Sequence, residues 1–487
     1  MDNEKNITPF KRTALAWLDS HEKLVTDAHQ RAWELAEVGL QEMQTSQLLA
    51  DILEDHGFSV ERGVAGMPSA FVATFRHGDG AGPAIGVMAE LDALPGLSQK
   101  AVPHKEPREG KEAGHGCGHC GYAATALGAA LAVKTAMEAH DIPGTIKCFG
   151  TPAEETLVGK VFMVRDGVFG GLDACLGHHP GAANACFLGS SNAMNSVKFE
   201  FFGKASHAAG SPEQGISALD AVELMNVGVN YMREHVVQET RMHYVIEEGG
   251  HEPNVVPDYA RSWYYVRAPE RDLVNRYYDW VLRIAEGADL MAGTTHKVRF
   301  LTGAHNTIPN RALAELVTNN MRQIGAPTYT EEELTFAAEL GKSIPREEKL
   351  AKLRSSLLPD ALDLVDVDLN PRIYDPYGEE RKGGGGSTDV AEVSWNTPTI
   401  EFSTACFVVA SPGHSWQNTA ISGTTIAHKS TMFAAKAMAT TVLDLLAEPE
   451  ALERVREEWE ARMEGKTYAS PLPPDLEPPL DQLKTHG

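Results

Sequence analysis

The sequence predicts an α/β fold in which a mostly parallel sheet carries an inserted α+β domain. Short apolar runs separated by helical segments fill the first part of the chain, as in buried parallel sheets. After about residue 194 the strand-like segments alternate in polarity and flank amphipathic helices, which indicates an antiparallel unit. A chain of 487 residues is long enough for about two or three domains. We therefore expect one large domain formed by residues 1–194 and 304–487, with an insert at 195–303.

The first part of the large domain shows both helical and strand patterns. Apolar residues recur at mostly helical steps from Leu35 to Leu53, which predicts a helix ending at Gly57. Three apolar runs that read as buried strands and one Ala-rich helix follow. The strands are expected at 85–89, 145–149 and 174–176, and the helix at 122–139.

The insert has the alternating pattern of strands with one exposed face. Val197, Phe199 and Phe201 alternate with Lys198 and Glu200, which predicts a half-exposed strand. The remaining elements follow in the order helix, strand, strand, helix. They are expected at 217–235, 243–246, 260–266 and from about Pro269 onward.

The second part of the large domain includes a long surface segment. We expect strands at 399–402 and 406–410 and a helix at 425–446. Residues 329–386, here called the excursion, are predicted to be irregular and to end in a flexible glycine hinge. The Pro-rich end at 471–479 predicts a non-helical tail.

Composition and charge exclude several classes of protein. Hydrophobic residues make up 43% and charged residues 23%, which is the balance of a soluble globular chain. The formal net charge of −24 makes nucleic acids and anionic membranes poor partners. The polar start of the chain and the lack of an apolar run of about 18 residues predict a cytoplasmic protein. Six cysteines in so long a chain do not form a disulfide scaffold.

A glycine-rich loop at 114–120 brings two thiols and two imidazoles together between a strand and a helix. Cys117 and Cys120 have the spacing of a redox dithiol. Alternatively, Cys117 and His119 are metal ligands, because zinc-like ions accept thiolate and imidazole. A tight turn around a buried cysteine is a third interpretation of this loop.

Other predicted strand ends favour the metal interpretation. Glu154 and Glu155 follow one strand, His179 ends the next, and His414 follows a later one. Ligands in open α/β sheets bind at such carboxyl ends. Adjacent carboxylates repel each other unless a cation or a proton separates them, so one could bind metal while the other transfers protons. Because neighbouring residues of an extended strand point in opposite directions, we expect a kink at this pair.

Five short motifs occur along the chain in a fixed order. They are Ala89-Glu90-Leu91-Asp92-Ala93-Leu94-Pro95, the loop 115–119, Glu154-Glu155, Gly203-Lys204-Ala205-Ser206-His207-Ala208-Ala209 and Asn254-Val255-Val256-Pro257. Together they resemble M20-type metallopeptidases, particularly the aminoacylase-like amidohydrolase branch. The resemblance implies a di-metal hydrolase domain with a lid and dimerisation domain as the insert. It implies two divalent ions, zinc or manganese, held by Cys117, His119, Glu155, His179 and His414, with Cys117 as the bridging thiolate.

The resemblance also implies roles for residues around the ligands. Glu154 matches the general base, and Asp92 matches a residue that supports the metals. His207 matches a lid histidine that reaches the partner subunit's site and hydrogen-bonds the oxyanion. Asn254 and Arg267 match lid residues that face the substrate.

One residue departs from the family pattern. Cys120 stands where this branch usually has Asn or Asp. The change removes a hydrogen-bonding side chain and adds a thiol, so it leaves the metal preference open.

The resemblance implies hydrolysis of the amide bond of an N-acyl amino acid, and we expect an N-aroyl one such as p-aminobenzoyl-glutamate. A dipeptidase or another aminoacylase of the same family is the alternative. The different-class alternatives are a thiol–disulfide oxidoreductase and a metal-free binding homologue, which the intact ligand positions disfavour. The resemblance implies a homodimer through the lid or a pairing with a related subunit.

Overall fold

The computed structural model describes residues 7–79, 82–379 and 385–481. Part of the predicted glycine hinge, Gly383 and Gly384, therefore lies outside the described residues. The helices are α1 Pro9–Ser20, α2 Glu22–Leu35, α3 Met43–Asp55, α4 His119–His140, α5 Gly159–Arg165, α6 Ala218–Met232, α7 Arg271–Ala292, α8 Arg311–Ile324, α9 Glu331–Gly341, α10 Arg346–Arg354, α11 Val390–Ser394, α12 Trp416–Ser422, α13 Thr425–Ala447 and α14 Pro449–Met463. The strands are β1 Ser59–Arg62, β2 Phe71–His77, β3 Ala84–Glu90, β4 Gly144–Thr151, β5 Ala174–Gly181, β6 Ala185–Cys186, β7 Ala193–Phe202, β8 Arg241–Glu248, β9 Tyr259–Ala268, β10 Thr295–Ala304 and β11 Thr399–Ala405.

The central sheet has seven strands in the order β1-β2-β4-β3-β5-β11-β6. Its middle strands β4, β3, β5 and β11 pair in parallel, whereas β2 and β6 join antiparallel at either side. The Ala-rich helix α4 packs against α13 and the sheet, and small side chains let these elements approach closely. This arrangement confirms the predicted α/β fold with a mostly parallel sheet.

The second sheet has four antiparallel strands in the order β10-β7-β9-β8. The helices α6 and α7 pack on it around their own apolar core, which includes Val197, Phe199 and Val229. Strand β8 is last in the strand order, so it is an edge strand of this sheet. We call this part of the chain, from β7 to β10, the lid.

Two expectations about these elements were wrong. The apolar pattern from Leu35 to Leu53 does not form one helix, because α2 ends at Leu35 and left-handed residues at Ala36 and Leu40 separate it from α3. Strand β7 is not half-exposed, because Lys198 is buried and its ammonium lies 2.8 Å from the carboxylate of Glu247. Charged residues can alternate with apolar ones on a covered strand when they are paired.

Two further corrections concern the second part of the large domain. Residues 406–410 form a loop, in which the amides of Cys406 and Phe407 both donate to the Gly181 carbonyl and Ala410 is left-handed. The excursion is not irregular, because it contains α9, α10 and a 3₁₀ turn at Ala361–Leu364. The described residues include no helix with both the length and the apolar character needed to cross a membrane.

Candidate metal centre and substrate cavity

The start of α4 positions Cys117 and His119 on either side of one glycine. Gly118 has a φ of +86°, which L side chains rarely adopt. A Cβ atom at this position would lie 2.9 Å from Cβ of Pro180. The glycine therefore allows a sharp turn that directs the thiol and the imidazole toward the end of β5.

The five residues predicted as ligands lie together at the carboxyl ends of the parallel strands. Their donor atoms form two groups, each with all atoms within 4.8 Å of one another. One group is Cys117, His119 and His179, and the other is Cys117, Glu155 and His414. Because both groups contain Cys117, its sulfur lies where a single thiolate could contact two ions.

Buried atoms without partners support a cation site. Among the described residues, Nε2 of His119 and Oε1 of Glu155 are buried and form no hydrogen bond, although an oxygen of Glu90 lies 3.2 Å from the His119 nitrogen. Burial raises the pKa of Glu155 to about 8, because the carboxylate is costly in this place without a neighbouring cation. Thiolate, imidazole and carboxylate are the donors that zinc-like ions accept. The residues present therefore fit two divalent ions.

The expected kink at the glutamate pair is present. Ala153 and Leu157 are left-handed, with φ of +54° and +56°, and a 3₁₀ turn runs from Glu154 to Thr156 between them. The turn places both carboxylates at the same site. Glu155 points toward Cys117 and His414, whereas an oxygen of Glu154 lies 3.9 Å from Nε2 of His119.

Asp92 contacts two of the predicted ligands without joining either donor group. Its Oδ1 lies 3.1 Å from Nδ1 of His119, and its Oδ2 accepts a hydrogen bond of 3.0 Å from the Glu155 amide. Such outer contacts fix the orientation of a ligating imidazole. This geometry is consistent with the supporting role predicted for Asp92.

A buried charge cluster lies next to the predicted ligands, and the sequence analysis did not predict it. The ammonium of Lys160 lies 2.7 Å from Oε1 of Glu90 and 2.6 Å from Oδ1 of Asp389. The other oxygen of Glu90 lies 3.2 Å from Nε2 of His119. Although burial opposes it, the Asp389 and Glu90 carboxylates raise the pKa of Lys160. In the sequence, the position of Lys160 inside the apolar run 158–164 could have indicated a buried, paired charge.

A cavity of about 460 Å³ opens beside the donor groups. Glu154, Glu155, His179 and His414 line it, and Arg267 reaches it from the lid. Burial lowers the pKa of Arg267. Its Nε has no hydrogen-bond partner within the described ranges. A cation that enters an otherwise acidic cavity is suited to bind an anionic group of a ligand.

His207 and Asn254 lie together on the lid but do not line this cavity. The amide of Ala208 donates to the Asn254 carbonyl at 2.9 Å, and Nδ1 of His207 accepts from the Gly210 amide at 3.0 Å. Asn254 is exposed. Within a single chain the structure therefore does not bring these two residues to the predicted ligands.

Cys120 points away from the donor groups. It packs in a small cluster with Ala32 and Trp33, and its sulfur lies 3.5 Å from Nε2 of His29. Burial raises the pKa of the Cys120 thiol to about 12. Cys117 and Cys120 are both free thiols. This placement favours neither an extra thiolate ligand nor a reactive dithiol.

The molecule has the features of a metal-dependent hydrolase: carboxylate, imidazole and thiol donors lie at the ends of a parallel sheet, next to a separate lid. Comparison with known proteins agrees. The profile of Peptidase family M20/M25/M40 matches residues 86–344. The chain belongs to this family and is a hydrolase that acts on amide bonds.

Individual relatives cover most of the chain. A subunit of the p-aminobenzoyl-glutamate hydrolase of Escherichia coli K12 is 36% identical over 95% of this chain and 97% of its own. Xaa-Arg dipeptidase of Mus musculus is 30% identical over 82% of this chain and 79% of its own. A dinuclear metal-binding M20 peptidase from Bacillus subtilis has a TM-score of 0.51 at 17% identity, covering 86% of this chain and 98% of that one.

Proposed function

We propose that this chain is a two-metal amidohydrolase that cleaves an N-aroyl amino acid, such as p-aminobenzoyl-glutamate. The observation that carries the proposal is the pair of donor groups that share Cys117, beside a cavity that Arg267 enters from the lid. The substrate class is supported by the similarity to the p-aminobenzoyl-glutamate hydrolase subunit over nearly the whole chain.

Divalent ions, when bound, supply Lewis acidity that activates water and polarises the amide carbonyl. Cys117, His119, Glu155, His179 and His414 would hold them. Zinc and manganese both remain consistent with this donor set.

Glu154 is proposed to move the protons. Its carboxylate lines the cavity, and it lies 3.9 Å from His119. From this position it would take a proton from the attacking water and return it to the leaving amine. Arg267 would pair with the carboxylate of the amino acid, because a guanidinium matches the geometry of a carboxylate.

His207 and Asn254 are proposed to act on the site of a partner subunit, where His207 would hydrogen-bond the developing oxyanion. Exposed apolar residues on the lid support a dimer. Tyr231 on α6 is 75% exposed and Leu290 on α7 is 87% exposed. Strand β8 is an edge strand within the described part of the chain, so it can also pair with a strand from a second chain. The partner would be a second copy or a related subunit.

All six cysteines are free thiols, which supports the proposal of a reducing, cytoplasmic location.

Metal analysis combined with a substrate panel tests the proposal. The purified chain should contain two divalent ions, and chelation should abolish hydrolysis of p-aminobenzoyl-glutamate. Zinc, manganese or cobalt should restore it. Full activity in a preparation shown to be metal-free would contradict the two-metal site. Faster cleavage of Xaa-Arg dipeptides than of any N-aroyl amino acid would favour the dipeptidase alternative.

A further inference from the structure

A second cavity of about 510 Å³ adjoins the first one. Both cavities are lined by His179, Phe187 and Glu401. Because His179 is a predicted ligand, the two cavities meet at the donor groups. The second cavity lies against the ends of β5 and β11, and residues of the excursion form one of its walls. We call it the excursion cavity.

The walls of the excursion cavity are mostly apolar. Leu353, Leu358 and Leu364 come from the excursion, and Val409 and Ala410 come from the loop after β11. The same residues form a separate apolar cluster. The wall is therefore part of a packed unit and not a loose surface segment.

Hydrogen bonds fix this wall to the loop that leads to His414. The carbonyl of Asp368 accepts from the Val409 amide at 2.9 Å, and the carboxylate of Asp368 lies 3.1 Å from the ammonium of Lys349. The ammonium of Lys352 donates to the Ser411 carbonyl. The excursion is thus tied to the segment that positions a predicted ligand.

An N-acyl amino acid has a charged amino-acid part and an acyl part, and each of the two cavities suits one of these parts. The first cavity contains Arg267, which suits the amino-acid carboxylate. The excursion cavity also contains Lys352, but its ammonium donates to the Ser411 carbonyl, and the leucines of the excursion form an apolar wall that suits a hydrophobic group. The bond to be cleaved lies between these two parts of the substrate, and His179, the predicted ligand that lines both cavities, lies where they meet.

We infer that the excursion cavity binds the acyl group and selects bulky, aromatic acyl groups over small ones. The inference rests on the proposed function, and it assigns the side of the scissile bond that the excursion recognises. This role of the excursion follows from the wall residues and from the shared lining at His179.

Filling the cavity tests the inference. Ala183 lines it and is half-buried, so Ala183→Phe places a ring inside it without changing a predicted ligand. We expect kcat/KM for N-benzoyl-glutamate to fall by at least about tenfold, as steric discrimination in apolar pockets typically does. N-acetyl-glutamate should change by less than about twofold, because a methyl group needs little of this space. Competitive inhibition by benzoate should weaken in parallel, whereas inhibition by glutamate should not.

Enlarging the cavity gives an independent measurement. Leu358→Ala should raise kcat/KM for N-naphthoyl-glutamate relative to N-benzoyl-glutamate. The matched control is Leu362→Ala, since Leu362 belongs to the same segment of the excursion but is 49% exposed and does not line the cavity. Circular dichroism and thermal midpoints would show that each variant is folded.

The outcomes separate this inference from the proposed function. If the metal-loaded wild-type chain cleaves no N-acyl amino acid, the proposed function fails. If wild type is active but either folded variant leaves the acyl preference unchanged, the inference is wrong. It is also wrong if the variants alter the preference among amino acids in a series of N-benzoyl substrates, because the cavity would then bind the amine side.

Discussion

At the scale of single residues, the adjacent carboxylates of Glu154 and Glu155 have different surroundings. Both line the cavity, but Glu155 lies with Cys117 and His414, whereas an oxygen of Glu154 lies 3.9 Å from Nε2 of His119. Two identical side chains can therefore perform different tasks, because their environments differ. The left-handed residue Ala153 makes this possible by turning the chain just before the pair. Strained backbone of this kind often occurs at functional sites.

Replacing each glutamate by alanine should separate the two tasks. Glu154→Ala should keep two metal ions and lose turnover by roughly 10²–10⁴-fold, the usual contribution of a general base. Glu155→Ala should lose metal occupancy. Elemental analysis and kcat measured on the same preparations check both. An empty site in Glu154→Ala together with a full site in Glu155→Ala would mean that the roles are reversed.

The buried His29 should make the free energy of unfolding depend on pH. Its Nε2 donates to the Ser422 carbonyl at 2.8 Å, and Nδ1 lies 2.9 Å from the Thr431 hydroxyl. Burial, and then the charge of nearby His428, lower the pKa of His29 to about 3. Below its ordinary value of about 6.5 the unfolded chain binds a proton that the folded chain does not. Stability is therefore lost as the pH falls from about 7 toward 3.

Between pH 7 and pH 5, this one group should lower the free energy of unfolding by about 2 kcal/mol. Urea unfolding at the two pH values measures the loss. His29→Gln should reduce the pH dependence by that amount, while His56→Gln, which replaces an exposed imidazole, should not. Equal pH slopes for wild type and His29→Gln would contradict the assignment.

At the scale of elements, the ends of helices and strands determine the site. Cys117 and His119 depend on the left-handed Gly118 at the start of α4, and the glutamates depend on the turn after β4. His414 is itself left-handed, with φ of +49°. The positions of the predicted ligands therefore depend on the conformation of these few backbone turns.

A substitution at Gly118 should weaken metal binding without changing any ligand. Gly118→Ala combines an unfavourable φ with a Cβ 2.9 Å from Pro180, and we expect about 1–3 kcal/mol less stability together with lower metal affinity. Gly167→Ala is the matched control, since Gly167 has a φ of +76° and no neighbour within 4 Å of an added Cβ. Competition with a chelator measures affinity. Equal metal affinity in the two variants would show that the turn at Gly118 does not position the ligands.

The sequence predicted the elements and the grouping of the candidate ligands better than the contacts between distant segments. Ligand positions follow strand ends, and parallel strand ends meet at one edge of a sheet, so His179 and Glu155 could be placed together. Lys160 could not be placed, because Asp389, its partner, lies 229 residues away in the chain. The helix α9 could have been found, since Thr330 and Glu333 form a capping box at its start.

At the scale of the whole molecule, a single chain does not bring every residue of the proposed mechanism to one site. His207 and Asn254 lie on the lid outside the cavity, whereas Arg267 on the same lid lines it. The lid also exposes Tyr231 and Leu290. A symmetric dimer formed through such a surface would bury these apolar residues and bring a second lid near each cavity.

Complementation between inactive variants tests whether His207 acts across the dimer. A donor to the oxyanion acts on the transition state, so His207→Ala should lower kcat and kcat/KM together, by on the order of 10²–10³-fold. Mixed with Glu154→Ala chains and allowed to exchange subunits, it should regain activity. In the hybrid, one site combines Glu154 of the first chain with His207 of the second.

Random exchange of equal amounts should restore about a quarter of the wild-type sites, because half of the dimers are hybrids and each has one intact site. The control mixes Glu154→Ala chains with Glu155→Ala chains. Both changes lie in the cavity of their own chain, so a hybrid has no intact site and no activity should return. If exchange is confirmed by mass labelling and His207→Ala still recovers nothing, His207 either serves its own chain's site or takes no part in catalysis. Recovery near a quarter would instead mean that each active site in the working enzyme is built from two chains.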